Sequence, residues 1–238
     1  MYSASAQYYD EIYASIDKDY ASEVAKAYKI IQKHKRSKGK RLLDVACGTG
    51  AHTGLLIKYY QVEGLDVDPN MLSVARKKHP RIPFHQGDMA NFDLGDQFDV
   101  IVCLFSSIGY VKTKSRLKKA IKIMAQHLLP GGVLLVEPWF STQQWSTGRV
   151  SVTQVNKPDL KIVRMSYGRK RRKISLLEFH YLIGTSRGVE YHVEIHEMGL
   201  FTHKEYMDAF KAAGLTVTHD REGLDGRGLY IAVKPVQS

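Results

Sequence analysis

Cysteine is scarce: Cys47 and Cys103 are the two in 238 residues. Each lies in an apolar stretch that reads as the end of a strand, with no histidine beside it in sequence. A disulfide framework is not indicated, and both read as small buried thiols in a reducing, cytoplasmic setting. No run of about 18 apolar residues occurs, so no membrane span is expected. The start, MYSASAQYYDEIY, lacks a basic segment followed by an apolar one, so it does not read as a secretory signal. Internal repeats, low-complexity tracts and flexible linkers are missing too. Acidic residues fall short of basic ones, 24 against 35, which leaves a net charge of +11. That excess suggests an anionic partner, a nucleic acid or a nucleotide-like small molecule, unless it is only a basic, solvated surface.

The patterning that is present alternates strands with helices. Residues 1–38 read as helical, with Val24, Ala27, Tyr28 and Ile31 at helical spacing. Short apolar runs follow at 41–46, 62–67, 82–85, 98–105 and 132–137. Helical segments at 52–60, 70–78 and 114–129 separate most of them, the last ended by Pro130-Gly131-Gly132. Such alternation implies a parallel sheet with right-handed crossovers. After Pro138 the pattern changes to β-type segments at 150–155, 160–168, 173–183 and 189–200, which predict antiparallel strands inserted as a cap. A helix at 204–213 and strands at 215–219 and 229–233 close the chain. The expected fold is α/β: a doubly wound, mostly parallel seven-stranded sheet with an antiparallel β cap. The expected division is 1–140 for the helices and cofactor core, 141–200 for the cap and 201–238 for the return to the core.

The strongest chemical signal is Leu43-Asp44-Val45-Ala46-Cys47-Gly48-Thr49-Gly50, which follows a strand and opens a helix. Glycines there let the backbone turn tightly and approach a ligand. A lone G-x-G is weak, and the third glycine of a dinucleotide fingerprint is replaced by Thr53, which disfavours NAD; no Gly-Lys-Ser/Thr marks a P-loop. Asp66, beside Val67 at the end of the next strand, can accept from both ribose hydroxyls, with Asp68 as the neighbouring alternative. Asp88 and Met89 follow strand three as an acid for an adenine amine and an apolar cover for its ring. Leu104-Phe105-Ser106-Ser107 closes strand four beside the expected methyl site. Taken in order on four strand ends, these signals read as a pocket for S-adenosyl-L-methionine.

The segments LLDVACGTGAH, HQGDM, FSSIGYVKT, LLPGGVLLVEPW and GRGLYIAV resemble, nearly end to end, the sugar-nucleotide N,N-dimethyltransferases of desosamine and mycaminose biosynthesis. The glycine and acid blocks mark the wider class I methyltransferase superfamily with its Rossmann-like fold; FSSIGY, VEPW and the terminal GRGL are closer to this branch. Relatives often carry Glu where this chain has Asp66, an equivalent acceptor. The resemblance implies a dTDP-linked amino sugar as acceptor, its amino group as the methylated atom, and a homodimer. The basic run Arg169–Lys173 is heavier than the family would suggest.

Methyl transfer from a sulfonium needs no enzyme nucleophile, only positioning and a neutral amine. Tyr13 and Tyr20 are expected to fold over the cofactor, unless they serve only to pack a helix on the core. Tyr13 and Tyr110 are the candidates nearest the chemistry. Ser107 and Trp139 are expected at the acceptor rim, although Trp139 reads equally as core. His192 and His196 are an even number apart and so share a strand face; either is expected at the substrate rather than on a metal, and no metal is called for. Arg227, between Gly226 and Gly228, has room to fork onto a diphosphate. The run Arg169–Lys173 reads as a solvated hairpin tip. The competing readings are a methyltransferase of another small molecule, an RNA methyltransferase suggested by the charge, and a non-catalytic binding protein on the same fold.

Overall fold

A computed structural model describes residues 5–236. A 3-10 turn over Ala6–Tyr8 leads into α1 (Tyr9–Ala14) and α2 (Tyr20–His34). Asp19 starts α2 by accepting the Ser22 N–H at 2.8 Å. The core then runs β1 (Arg41–Val45), α3 (Ala51–Leu56), β2 (Gln61–Asp66), α4 (Pro69–Lys78), β3 (Phe84–Gln86), β4 (Phe98–Cys103), α5 (Lys114–Gln126) and β5 (Leu128–Val136). Next come β6 (Val150–Lys157), β7 (Leu160–Arg171), β8 (Ile174–Thr185) and β9 (Gly188–Gly199). The chain ends with α6 (His203–Ala212), β10 (Thr216–Asp220) and β11 (Leu229–Val233).

Seven strands form one sheet in the order β10-β11-β5-β4-β1-β2-β3. Only β11 runs against its neighbours. Every residue of β4 is buried, as expected of a central parallel strand covered on both faces. The order reverses between β1 and β4, so the crevice for a ligand opens outside the carboxyl ends of these strands. β6 to β9 form a separate antiparallel sheet in sequence order.

Several element bounds differ from the sequence reading. The helix after the glycine turn stops at Leu56, because residues 57–60 tighten into turns. Pro130-Gly131-Gly132 lies inside β5 rather than ending α5, which stops at Gln126. Gly131 takes a left-handed φ of 76°, and its carbonyl accepts the N–H groups of Arg36 and Ser37 at 2.7 and 3.0 Å. A bulge there clamps the linker from α2 to β1. The run at 98–105 leaves the sheet after Cys103, because Phe105 and Ser106 both turn left-handed, with φ of 52° and 59°.

One face of the second sheet packs on α1. Ile12 is buried with Val155, Ile162, Phe179, Tyr181 and Ile183. Alternation along β9 puts Glu194, His196 and Met198 on this inner face, and exposes Val193 and Ile195 on the other.

Candidate active site

At the end of β1, Ala46, Gly48 and Gly50 all have positive φ, at 60°, 56° and 75°. A Cβ added at Gly48 would meet nothing within 4 Å, so the turn borders open space that a side chain would fill. Asp66 closes β2. Its Oδ2 accepts the Gly48 N–H and its Oδ1 the Asp68 N–H, both at 2.8 Å. Burial raises its pKa against the pull of those backbone donors. The neighbouring acid, Asp68, is engaged as the cap of α4, accepting from Asn70 at 2.9 Å. Asp66 is therefore the acid turned to the cleft, a space of about 280 Å³ lined by Ala46, Asp66, Val67, Asp88, Met89 and Tyr110 among others. Asp88 is fixed by the Ala90 N–H at 2.9 Å and by Arg116, whose Nη2 lies 2.9 and 2.6 Å from its two oxygens.

A smaller compartment of about 40 Å³, which shares Ala46 with the first, is lined by Tyr9, Tyr20, Asp44, Gly48, Leu104, Phe105 and Ser107 among others. The buried Tyr20 hydroxyl has no hydrogen-bond partner among the described residues, and burial raises its pKa. Burial also pushes the Asp44 carboxyl up to about 6, although Thr53 donates to it at 2.7 Å. An open glycine turn, an acid with spare lone pairs and an orphaned hydroxyl, in two spaces that share Ala46 at the end of β1, fit the ribose, adenine and amino-acid ends of S-adenosylmethionine. Asp66 would hold the ribose hydroxyls, and Asp88 with Met89 the adenine.

The larger cavity, about 480 Å³, lies between the two sheets. Tyr13, Ser107, Tyr110, Trp139, His196 and Arg227, which the sequence scatters over more than two hundred positions, all line it. Tyr110 Oη and His196 Nδ1 are 2.7 Å apart. Glu194, beside His196 at 3.6 Å, also binds Ser5 through its N–H and hydroxyl, at 3.2 and 2.6 Å. Although burial opposes it, the neighbouring His196 and the hydrogen bonds from Ser5 hold the Glu194 carboxyl at about 2. Trp139 donates to Ser175 Oγ at 2.9 Å, which fixes its indole in the wall.

His192 does not reach this cavity. It shares the inner face of β9, but strand rise carries it roughly 13 Å from His196, and it pairs with Glu190 at 2.9 Å. His180 faces the other side and meets Tyr191 and Glu178. Among the described residues no group of three or more His, Cys, Asp or Glu is placed to hold a metal. Both thiols are buried and their pKa values are pushed up by that burial.

Sequence reasoning missed several lining residues. Tyr9 stands four positions before Tyr13 on α1, their rings 4.5 Å apart, a spacing that was legible. Arg164 projects from the inner face of β7, with its guanidinium 5.3 Å from the Tyr13 ring and 4.8 Å from Phe179. Its alternation with Ile162 and Ser166 marked the face but not the cavity. Tyr9 and Phe105 line both the cavity and the small compartment, so they stand where the two meet. Arg169, Arg171 and Lys173 of the basic run are paired with Glu178, Glu197 and Glu205.

Fold and cleft together define an S-adenosylmethionine-dependent methyltransferase, and a family model described as a methyltransferase domain matches residues 42–132. Two curated relatives are similar over nearly the full length. One is the dTDP-3-amino-3,6-dideoxy-alpha-D-glucopyranose N,N-dimethyltransferase of Streptomyces fradiae, 38% identical over 94% of this chain and 89% of its own. The other is the dTDP-3-amino-3,4,6-trideoxy-alpha-D-glucopyranose N,N-dimethyltransferase of Streptomyces venezuelae, 37% identical over 96% and 97%. The crystal structure of Streptomyces venezuelae DesVI superposes with a TM-score of 0.92 at 37% identity, over 98% of this chain and 99% of that one. SAM-bound CalS10, an amino pentose methyltransferase from Micromonospora echinaspora, gives 0.85 at 34%, over 95% and 96%. The chain belongs to the family of sugar-nucleotide N,N-dimethyltransferases.

Proposed function

We propose that this enzyme N-methylates the amino group of a dTDP-linked amino sugar. The observation that carries the reading is the meeting of the two compartments. A cavity walled by aromatics and by Arg149, Arg164 and Arg227 opens beside the cofactor crevice, with Tyr9, Phe105 and Ser107 lining both. The aromatic walls suit a base and a sugar, and the arginines suit a diphosphate. When bound, S-adenosylmethionine supplies an electrophilic sulfonium methyl. Residues 141–200 act as the substrate-side cap, and α1 closes the cavity from the N-terminal side. Tyr13 borders the acceptor there, while Tyr20 closes the cofactor end. Tyr110, hydrogen-bonded to His196, offers an oxygen to a proton on the acceptor nitrogen, and Trp139 excludes water. Arg227 contacts the diphosphate.

Mass spectrometry of dTDP-3-amino-3,6-dideoxyhexose after incubation with enzyme and cofactor tests the reading. Gain of one or two methyl groups supports it. No transfer, from protein that still takes up S-adenosylhomocysteine, would assign the cavity to another small molecule.

The outer face of the second sheet exposes Val150, Val152, Val163, Met165, Leu182, Val193 and Ile195. Ladder pairing places Val152 beside Met165 and Val163 beside Leu182. Together these make an apolar surface larger than scattered single residues would, and a second copy of the chain is its proposed cover. Buried free thiols suit a cytoplasmic location. Among the described residues no helix is long and apolar enough to cross a membrane.

A further inference from the structure

Phe105 faces both compartments, and its conformation is unusual. It and Ser106 are consecutive non-glycine residues in the left-handed region, with φ of 52° and 59°. An L side chain disfavours that region, so something outside the turn must hold it. The Phe105 N–H donates to Glu137 Oε2 at 2.7 Å. Ser106 Oγ donates to the Pro138 carbonyl at 2.7 Å. Both acceptors come from the two residues that follow β5, so the end of β5 holds the turn after β4.

Glu137 is itself fully buried. Its other oxygen, Oε1, has no hydrogen-bond partner among the described residues and lies 4.0 Å from Arg227 Nη1. Burying a carboxylate with one unsatisfied oxygen is costly unless a cation stands near. Burial and the Asp225 charge push its pKa up to about 7, although Arg227 and the Phe105 N–H oppose them. The surroundings are charged on both sides. Arg227 Nε is 3.7 Å from Asp225, and Lys18 pairs with Asp225 at 3.2 Å and with Glu23. Glu23 in turn meets His52 at 2.8 Å. Lys18 and Arg227 both lie over the Phe105 ring, at 4.3 and 5.2 Å from its centroid.

We propose that Glu137 is a positioning residue: it accepts the Phe105 N–H and so holds the aromatic ring that forms the shared wall between the cofactor and acceptor compartments. The inference deepens the reading above, and it rests on the two compartments meeting at Phe105.

The test compares Glu137→Ala with Glu137→Gln, whose amide oxygen can still accept the Phe105 N–H. S-adenosylhomocysteine affinity is read by calorimetry and kcat by transfer to the dTDP-amino sugar. Glu137→Ala is expected to lower both by about tenfold, the loss of a single good hydrogen bond, and Glu137→Gln to recover most of that loss. If Glu137→Ala proves too unstable, Glu137→Met fills the volume without an acceptor and carries the same expectation. A lower melting temperature with cofactor affinity and kcat unchanged would overturn the proposal, because Glu137 would then only stabilise the fold. Glu137→Gln as damaging as Glu137→Ala would also overturn it, because the charge and not the N–H contact would matter. The calorimetric arm needs no acceptor, so a wild-type enzyme inactive on every dTDP-amino sugar would defeat the acceptor reading and leave this one standing or falling separately.

Discussion

The cofactor crevice and the acceptor cavity share a wall but are built in opposite ways. The crevice is made of backbone and short local motifs. Asp66 ends β2, Gly48 and Asp88 lie just beyond β1 and β3, and the parallel order of these strands brings their ends together. The cavity is made of side chains from α1, the turn after β4, the loop after β5, the strands β6 to β9 and the loop before β11. A backbone site can be written in a few adjacent residues. A side-chain site needs the whole tertiary arrangement before its members meet.

On this contrast, the largest effect should come from the backbone side. Gly48→Val puts a branched side chain into open cleft at φ 56°, where a β-branched residue is badly disfavoured. Calorimetry should show S-adenosylhomocysteine affinity reduced by roughly 100-fold or more, equivalent to about 3 kcal/mol, with dTDP uptake retained. Next comes Asp66→Ala, expected to cost about 1.5–3 kcal/mol of cofactor affinity, the range for hydrogen bonds to a charged group. Unchanged affinity would move the ribose partner elsewhere. On the side-chain side, Arg164→Ala should raise the acceptor KM by about tenfold while cofactor affinity stays as it was. A parallel loss of cofactor affinity would erase the distinction between the two regions.

The smallest effect concerns stability. Asp44 is raised in the folded state, from 3.8 to about 6. Between those values the native protein holds a proton that the unfolded chain has lost. This contribution to stability is therefore full below about pH 4 and lost as pH rises through about 6. Asp44→Asn should flatten the pH dependence of the melting temperature across that window. An unaltered slope would show that another group titrates there.

The fold was legible because hydrophobic period and glycine turns are local. The seven-stranded core and the inserted antiparallel sheet followed from strand runs and the change of pattern after Pro138. That Asp66, Asp88 and Gly48 border the crevice followed from their places at or after strand ends. Arg164 and Glu137 did not. Arg164 reads as a lone charge on one face of an alternating strand, and nothing local marks a cavity there until β6, β8 and α1 enclose it. Glu137 reads as the polar end of a strand until the turn at Phe105 aims an N–H at it. His192 shows the converse error. Strand parity chose its face correctly but says nothing about distance along the strand, and the cavity ends before reaching it.

The most direct test of the account is a double titration. Protein saturated with S-adenosylhomocysteine is titrated with dTDP, and the order is then reversed. Two adjoining compartments predict that each ligand binds once per chain with the other in place. Mutual exclusion, or failure of the folded protein to take up S-adenosylhomocysteine at all, would contradict it.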